Sequence, residues 1–315
     1  ETVYTYVMPV HPEQVKRGGV SIEKRDLESG LLTPLGGATL DGTEFKIKNR
    51  SKNSVIVDGI DYAPGAVVKT IYTKDGVAST SADALPYGHY SIQETAPSEG
   101  YLLTDAIERF FDITEEGVIV RIEGDEAPHN QVKRGDLELV KARESDQHRL
   151  ENIPFRITSL ATGENHVFVT DINGEAKTEA AWNPHTQHTN ANDAAVSADG
   201  TVDESKLDPE AGVWFGLTQE GWSVKPDDNL GALPYDTYQV DELRCSGNEG
   251  LELVSMTMRV TRHGYQIDMG TVDNQPEGQV SLSTTARDGI DGDKSVVKEP
   301  DVTVCLLYTS DAADE

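Results

Sequence analysis

The chain has 315 residues, with 27 basic against 55 acidic side chains for a formal charge of −28, 6% aromatic residues, 28 Gly and 14 Pro. A surface that acidic repels phosphate backbones and anionic lipid, which argues against nucleic-acid and membrane-surface partners, and no stretch approaches the roughly 20 apolar residues needed to cross a bilayer. The length suits two or three domains, and the turn-rich composition favours short strands over long helices.

Taken from the start, Tyr4, Tyr6 and Met8 alternate before Pro9, and residues 1–17 read as the exit strand of a preceding domain. Neither a Met nor a basic and apolar leader opens the chain, so a segment of a longer protein is expected. The next element recurs. Val15-Lys16-Arg17-Gly18-Gly19-Val20-Ser21-Ile22-Glu23-Lys24 returns as Val132-Lys133-Arg134-Gly135-Asp136-Leu137-Glu138-Leu139-Val140-Lys141, an offset of 141 − 24 = 117 residues. Strand periodicity places Val20, Ile22 and Lys24 on one face, and Leu137, Leu139 and Lys141 likewise. In each copy a lysine therefore ends a row that points to the core.

A second pair follows, Ala84-Leu85-Pro86-Tyr87-Gly88-His89-Tyr90-Ser91-Ile92-Gln93-Glu94 against Ala232-Leu233-Pro234-Tyr235-Asp236-Thr237-Tyr238-Gln239-Val240-Asp241-Glu242. Here Tyr90, Ile92 and Glu94 share a face, as do Tyr238, Val240 and Glu242. A third pair closes each copy, His129-Asn130-Gln131 against Asp273-Asn274-Gln275. Asp273 is the rival for Asn274, and the Asn-Gln shared by both copies decides for the asparagine. The glutamate-to-asparagine gaps are 130 − 94 = 36 and 274 − 242 = 32, whereas the lysine-to-glutamate gaps are 94 − 24 = 70 and 242 − 141 = 101. The extra length falls mainly in 183–212, which reads as a polar surface insertion.

Strands are predicted at 20–25, 44–48, 90–94 and 118–122, then at 155–159, 166–170, 238–242 and 253–260, separated by turns such as Lys74-Asp75-Gly76 and Ile172-Asn173-Gly174. The expected architecture is all-β, tandem immunoglobulin-like β-sandwiches: a first domain at 18–132 and a second at 133–276 carrying the insertion. Residues 277–304 read as the truncated start of a third β-domain. Cys305 to Glu315 resembles the translation of a transposase adapter used in preparing sequencing libraries. The expected reading frame ends near Val304, and 305–315 is set aside from fold reasoning.

The order Lys, then Leu-Pro-Tyr-x-x-Tyr-x-x-x-Glu, then Asn before the next domain resembles the CnaB (SpaA-type, prealbumin-like) domains of Gram-positive pilins and adhesins over about residues 18–276. In that family a lysine amine and an asparagine side chain join in an isopeptide bond assisted by a glutamate. The resemblance implies Lys24, Glu94 and Asn130 in the first domain and Lys141, Glu242 and Asn274 in the second. Glu13 stands where the preceding domain would need its asparagine, so that domain departs from the pattern. Thr284, with Thr285 as the alternative, resembles the nucleophile that opens VaFE or Thr–Gln ester-bond repeats.

The chemistry is sound on its own terms. Burial in apolar surroundings favours the neutral forms of both amine and carboxyl. A neutral amine is a nucleophile, and a protonated carboxyl can polarise a carboxamide and relay the proton that ammonia needs to leave. Each domain would react once, on itself, so the chain is expected not to be an enzyme.

Other signals are weaker. His185 and His188 lie in the insertion without a third convergent ligand and read as solvated, so no metal is expected. Residues 199–210 are acidic but lack the register of a calcium loop. Cys245 reads as a spare thiol, and no nucleophile elbow is present. No cofactor is implied. The resemblance implies an extracellular stalk on a bacterial surface, anchored by a signal outside this segment, with the neighbouring domains of its own chain as partners. The alternative expectation is a module that binds a host protein or glycan through the insertion.

Overall fold

A computed structural model describes residues 13–276 and the backbones of two further strands, Leu282–Asp288 and Val304–Ser310, which pair antiparallel with Thr284 opposite Tyr308. The expected exit strand before residue 13, most of the expected third domain and the Thr284 side chain lie outside the described residues. Among the described residues, regular structure consists of strands and four short 3-10 turns, so the chain is all-β. Among the described residues no helix is long and apolar enough to cross a membrane.

The chain divides into two compact units: Glu1–Lys24, Asp41–Pro97 and Leu103–Pro128 in one, Arg25–Leu40, Ser98–Leu102 and His129–Glu315 in the other. In the first, Arg17–Glu23 pairs parallel with Ile119–Ile122 and antiparallel with Val77–Ser79 and Leu85–Pro86. A second sheet runs Arg109–Ile113, Gly88–Ala96, Glu44–Asn49, Val67–Tyr72. Alternation along Glu44–Asn49 sends Phe45 and Ile47 inward, where they meet Val20, Ile22, Tyr90, Ile92 and Phe111 in one core. Such inward rows from two sheets make a sandwich.

The second unit repeats this plan. Arg134–Arg143 pairs antiparallel with Glu175–Lys177 and Leu233–Pro234, and parallel with the closing strand Gln266–Asn274. Opposite lies the sheet Asn165–Val169, Pro154–Ser159, Asp236–Glu242, Ser255–Val260. Leu137, Leu139, Phe155, Ile157, Phe215, Tyr238 and Val240 fill the space between. The Leu-Pro-Tyr turn has a mechanical reason in both copies. The hydroxyl of the tyrosine four residues past the proline returns to the proline carbonyl, Tyr90 to Pro86 at 2.8 Å and Tyr238 to Pro234 at 2.7 Å.

Segments that precede residue 133 are built into the second unit. Leu35, Ala38, Leu40, Tyr101 and Val132 form a separate small core with Val224 and Tyr235. Gly37 N donates to Tyr235 O at 2.8 Å, and a Cβ on Gly37 would sit 2.8 Å from Asp236 Oδ1, so this approach needs glycine. Glu28 grips Arg134 through both carboxylate oxygens, each at 2.7 Å, and the guanidinium stacks 3.8 Å above the Trp214 ring.

One predicted strand is broken. Instead of running through 20–25, the opening strand stops at Glu23, and Arg25–Asp26 takes a new parallel partner, His129–Asn130. Lys24 stands at this change of partner.

Candidate functional site

In the second unit the three expected residues meet. Lys141 lies late in the opening strand and is fully buried, as are Glu242 (3% exposed) and Asn274 (1% exposed). The parallel register sets Lys141 opposite Val272 and Arg143 opposite Asn274, bringing the asparagine two positions past the lysine. Gly174 from the predicted Asn-Gly turn accepts the Lys141 backbone N–H at 2.7 Å, with a φ of +70° that a side chain would strain. Lys141 Nζ donates to the carbonyls of Val272 at 2.9 Å and Ala142 at 3.2 Å, and stands 3.9 Å from Glu242 Oε2. Burial pulls its pKa from 10.5 down to about 8, against the opposing pull of Glu242 and Asp273.

The Asn274 carboxamide faces the same carboxyl. Its Nδ2 donates to Glu242 Oε1 at 3.0 Å and Oε2 at 2.9 Å, and to Glu252 O at 2.8 Å. Its buried Oδ1 has no hydrogen-bond partner among the described residues. A buried amine and a buried carboxamide thus face one buried carboxyl, the amide within hydrogen-bond distance and the amine at 3.9 Å.

The first copy repeats this arrangement within the first unit for two of its residues. Lys24 and Glu94 are buried, with Nζ 3.6 Å from Glu94 Oε2, and Lys24 Nζ also donates to Pro128 O at 3.2 Å. Gly76 O accepts the Lys24 backbone N–H at 2.8 Å, matching the Gly174 contact. Asn130 is buried in the second unit, in register with Asp26. In sequence Asp26 is two residues past Lys24, as Arg143 is two past Lys141.

Several groups escaped the sequence reading. Asn248 donates its Nδ2 to Glu242 Oε1 at 2.9 Å, and no repeated motif signals it. The repeated arginine was legible but its role was not. Arg17 and Arg134 both donate to the carbonyls just before Leu-Pro-Tyr, Asp83 and Ala84 in one copy and Gly231 and Ala232 in the other. His185 was expected in solvent and is instead fully buried, its ring nitrogens 2.9 Å from Thr178 O and 3.1 Å from Asp227 O. Those two carbonyls and the neighbouring Trp214 ring replace its hydration. His188 is exposed, as expected, beside Asp208. No group of three or more metal-ligating side chains is assembled among the described residues.

Residues 32–127 match the family model of the SpaA prealbumin-like fold domain. This part of the chain is a SpaA-type domain, of the CnaB class. No curated protein matches the chain. Among solved structures, the Bacillus anthracis TIE protein is 16% identical over 94% of this chain and 44% of its own, with a TM-score of 0.44. A streptococcal ancillary pilin is 17% identical over 83% of this chain and 63% of its own, TM-score 0.28. The shaft pilin SpaA of Lactobacillus rhamnosus GG is 14% identical over 85% of this chain and 100% of its own, TM-score 0.28. The chain therefore spans less than two thirds of the first two.

Proposed function

We propose that the chain is a stalk segment of a Gram-positive cell-surface protein, and that each repeat joins its opening strand to its closing strand by a Lys–Asn isopeptide bond. The pairs are Lys24–Asn130 and Lys141–Asn274, with Glu94 and Glu242 carrying protons. The supporting observation is the convergence of a buried amine and a buried carboxamide on the Glu242 carboxyl in the second unit.

The proposed steps are these. Lys141 passes a proton to Glu242 Oε2, leaving a neutral amine and a neutral acid. Rotation of the Asn274 amide turns Oδ1 onto the acid, which polarises Cγ. Nζ attacks Cγ and the new C–N bond forms. As this bond forms the acid gives its proton to Oδ1; the resulting carboxylate takes a proton from Nζ and delivers it to Nδ2, then recovers the Oδ1 proton as the C=O re-forms, the Cγ–Nδ2 bond breaks and ammonia leaves. Each site turns over once, so the chain matures itself and catalyses nothing further.

The first bond would close a loop of 130 − 24 = 106 residue steps. By analogy with a disulfide of that span, constraint of the unfolded chain stabilises by about 4–5 kcal/mol. Unlike a disulfide, it survives reductants, which suits a chain with two cysteines.

Intact-mass spectrometry of the purified chain tests this. The expected mass is the sequence mass less two ammonia molecules, with Glu94→Ala and Glu242→Ala each restoring one. A mass equal to the unmodified sequence overturns the proposal.

A further inference from the structure

Glu242 carries one group that the lysine–glutamate–asparagine set does not require. Asn248 is fully buried and uses every polar atom of its side chain. Its Nδ2 donates to Glu242 Oε1 at 2.9 Å and to Leu243 O at 2.9 Å, while its Oδ1 accepts from Cys245 N at 2.9 Å. The other carboxyl oxygen, Oε2, accepts from Val254 N at 3.1 Å. A carboxylate offers two lone-pair sites on each oxygen. With one site on each held by Asn248 and Val254, the plane cannot turn without breaking a buried hydrogen bond. The remaining sites meet the Asn274 amide at 3.0 and 2.9 Å.

The loop that brings Asn248 here is itself tied down. Gly247 passes under Ile153, where a Cβ would approach Cδ1 to 2.8 Å. Arg244 Nη1 donates to the carbonyls of Asn248 and Leu251. Ser246 is fixed from outside, its N and Oγ donating to Glu204 Oε1 at 2.7 Å and Oε2 at 2.6 Å. Glu204 belongs to the insertion 183–212, in the short turn Glu204–Lys206. A line of contacts thus runs from the insertion through Ser246 and Asn248 to Glu242. In the first copy the residue six past Glu94 is Gly100, where the second copy has Asn248 six past Glu242.

We propose that Asn248 is a positioning residue for cross-linking in the second copy only, holding the Glu242 carboxyl in the plane that serves both Lys141 and Asn274, and that the insertion supports it through Glu204. This rests on the cross-linking function proposed above. The charged and titratable groups around Glu242 are Lys141 and the Cys245 thiol, with Asp273 acting on Lys141 and Glu204 acting on Cys245.

The test follows bond closure in the full chain after cell-free synthesis. Time points are read peptide by peptide for loss of ammonia, from about pH 4, near the ordinary carboxyl value, to above the Lys141 value of about 8. Asn248→Ala slows Lys141–Asn274 closure on the order of tenfold to a hundredfold, the scale of a misplaced reacting group. Lys24–Asn130 closure in the same molecule keeps its rate. Asn248→Asp still accepts from Cys245 N but donates to Glu242 only when protonated, so its rate relative to wild type rises as pH falls. Ser246→Ala, on the exposed part of the loop, slows the same bond more weakly and keeps the test decisive if Asn248→Ala impairs folding. Wild-type rates in both Asn248→Asp and Ser246→Ala, or an Asn248→Asp deficit equal at every pH, overturn the proposal and leave Asn248 as a loop cap. A wild-type chain that never joins Lys141 to Asn274 overturns the cross-linking function itself, a different and separable result.

Discussion

Taking an ammonium out of water costs several kcal/mol, and Lys141 recovers two carbonyls and a carboxylate at 3.9 Å in exchange. Burial outweighs these partners and holds its pKa near 8, against 10.5 in the unfolded chain. Between those values the unfolded chain keeps a proton that the folded chain has released, so stability rises with pH across that window and is flat below it. In Asn274→Ala, where no bond can form, unfolding free energy should therefore climb from about pH 8 to about pH 10.5 relative to Lys141→Met/Asn274→Ala. Denaturant titrations at stepped pH measure this; a flat difference would show that Lys141 is not titrating in the core. Lys24, Glu94, Lys141 and Glu242 were legible because each ends an alternating apolar row and the rows occur twice. Asn248 was not legible. It occurs once, in a loop, and nothing in a sequence marks which side-chain amide will reach a carboxylate.

The insertion shows why polar composition misleads. Asn, Asp and His residues suggested solvation, yet His185, Asn192 and Ala195 are buried, their polar groups matched internally. A satisfied buried polar group and a hydrated one look alike in sequence. The strand pattern was easier to read, because alternation is enforced by a core, although the break at Lys24 was missed: a change of partner leaves the alternation intact. His166 on Asn165–Val169 helps hold the insertion, with Nδ1 2.7 Å from Asp193 Oδ2 and Nε2 2.9 Å from Glu164 Oε1. Burial opposes the charged imidazole, but the two carboxylates prevail and raise its pKa from 6.5 to about 9. Its contribution is fully present below about pH 6.5 and lost as pH rises through about 9. Limited proteolysis should accordingly cut within 183–212 faster across that range, and His166→Phe should remove the pH response. Cleavage that ignores pH in the wild-type protein would rule the clamp out.

Considered as a chain of domains, the molecule does not keep its repeats within their sequence borders. Glu28 precedes residue 133 by more than a hundred positions, yet it neutralises Arg134, whose side chain has no exposure to solvent. Removing one member of a buried pair strands the other, at a cost of about 3–5 kcal/mol. Glu28→Ala should lower the unfolding free energy of the second unit by that amount, followed through Trp214, which stacks on Arg134. An unchanged midpoint would mean that the guanidinium finds water instead.

The parallel pairing of Arg134–Arg143 with Gln266–Asn274 has a consequence for variation. Pulled from opposite ends, two parallel neighbours slide against each other, so their hydrogen bonds share the load instead of unzipping in turn. With the proposed Lys141–Asn274 bond in place, force arriving at residue 134 would cross to the closing strand at residue 141. Everything from 142 to 273, the insertion included, would then lie off that path. Such a region would be free to gain loops, lose them or acquire new surfaces while the tensile strength of the strand pair stays the same.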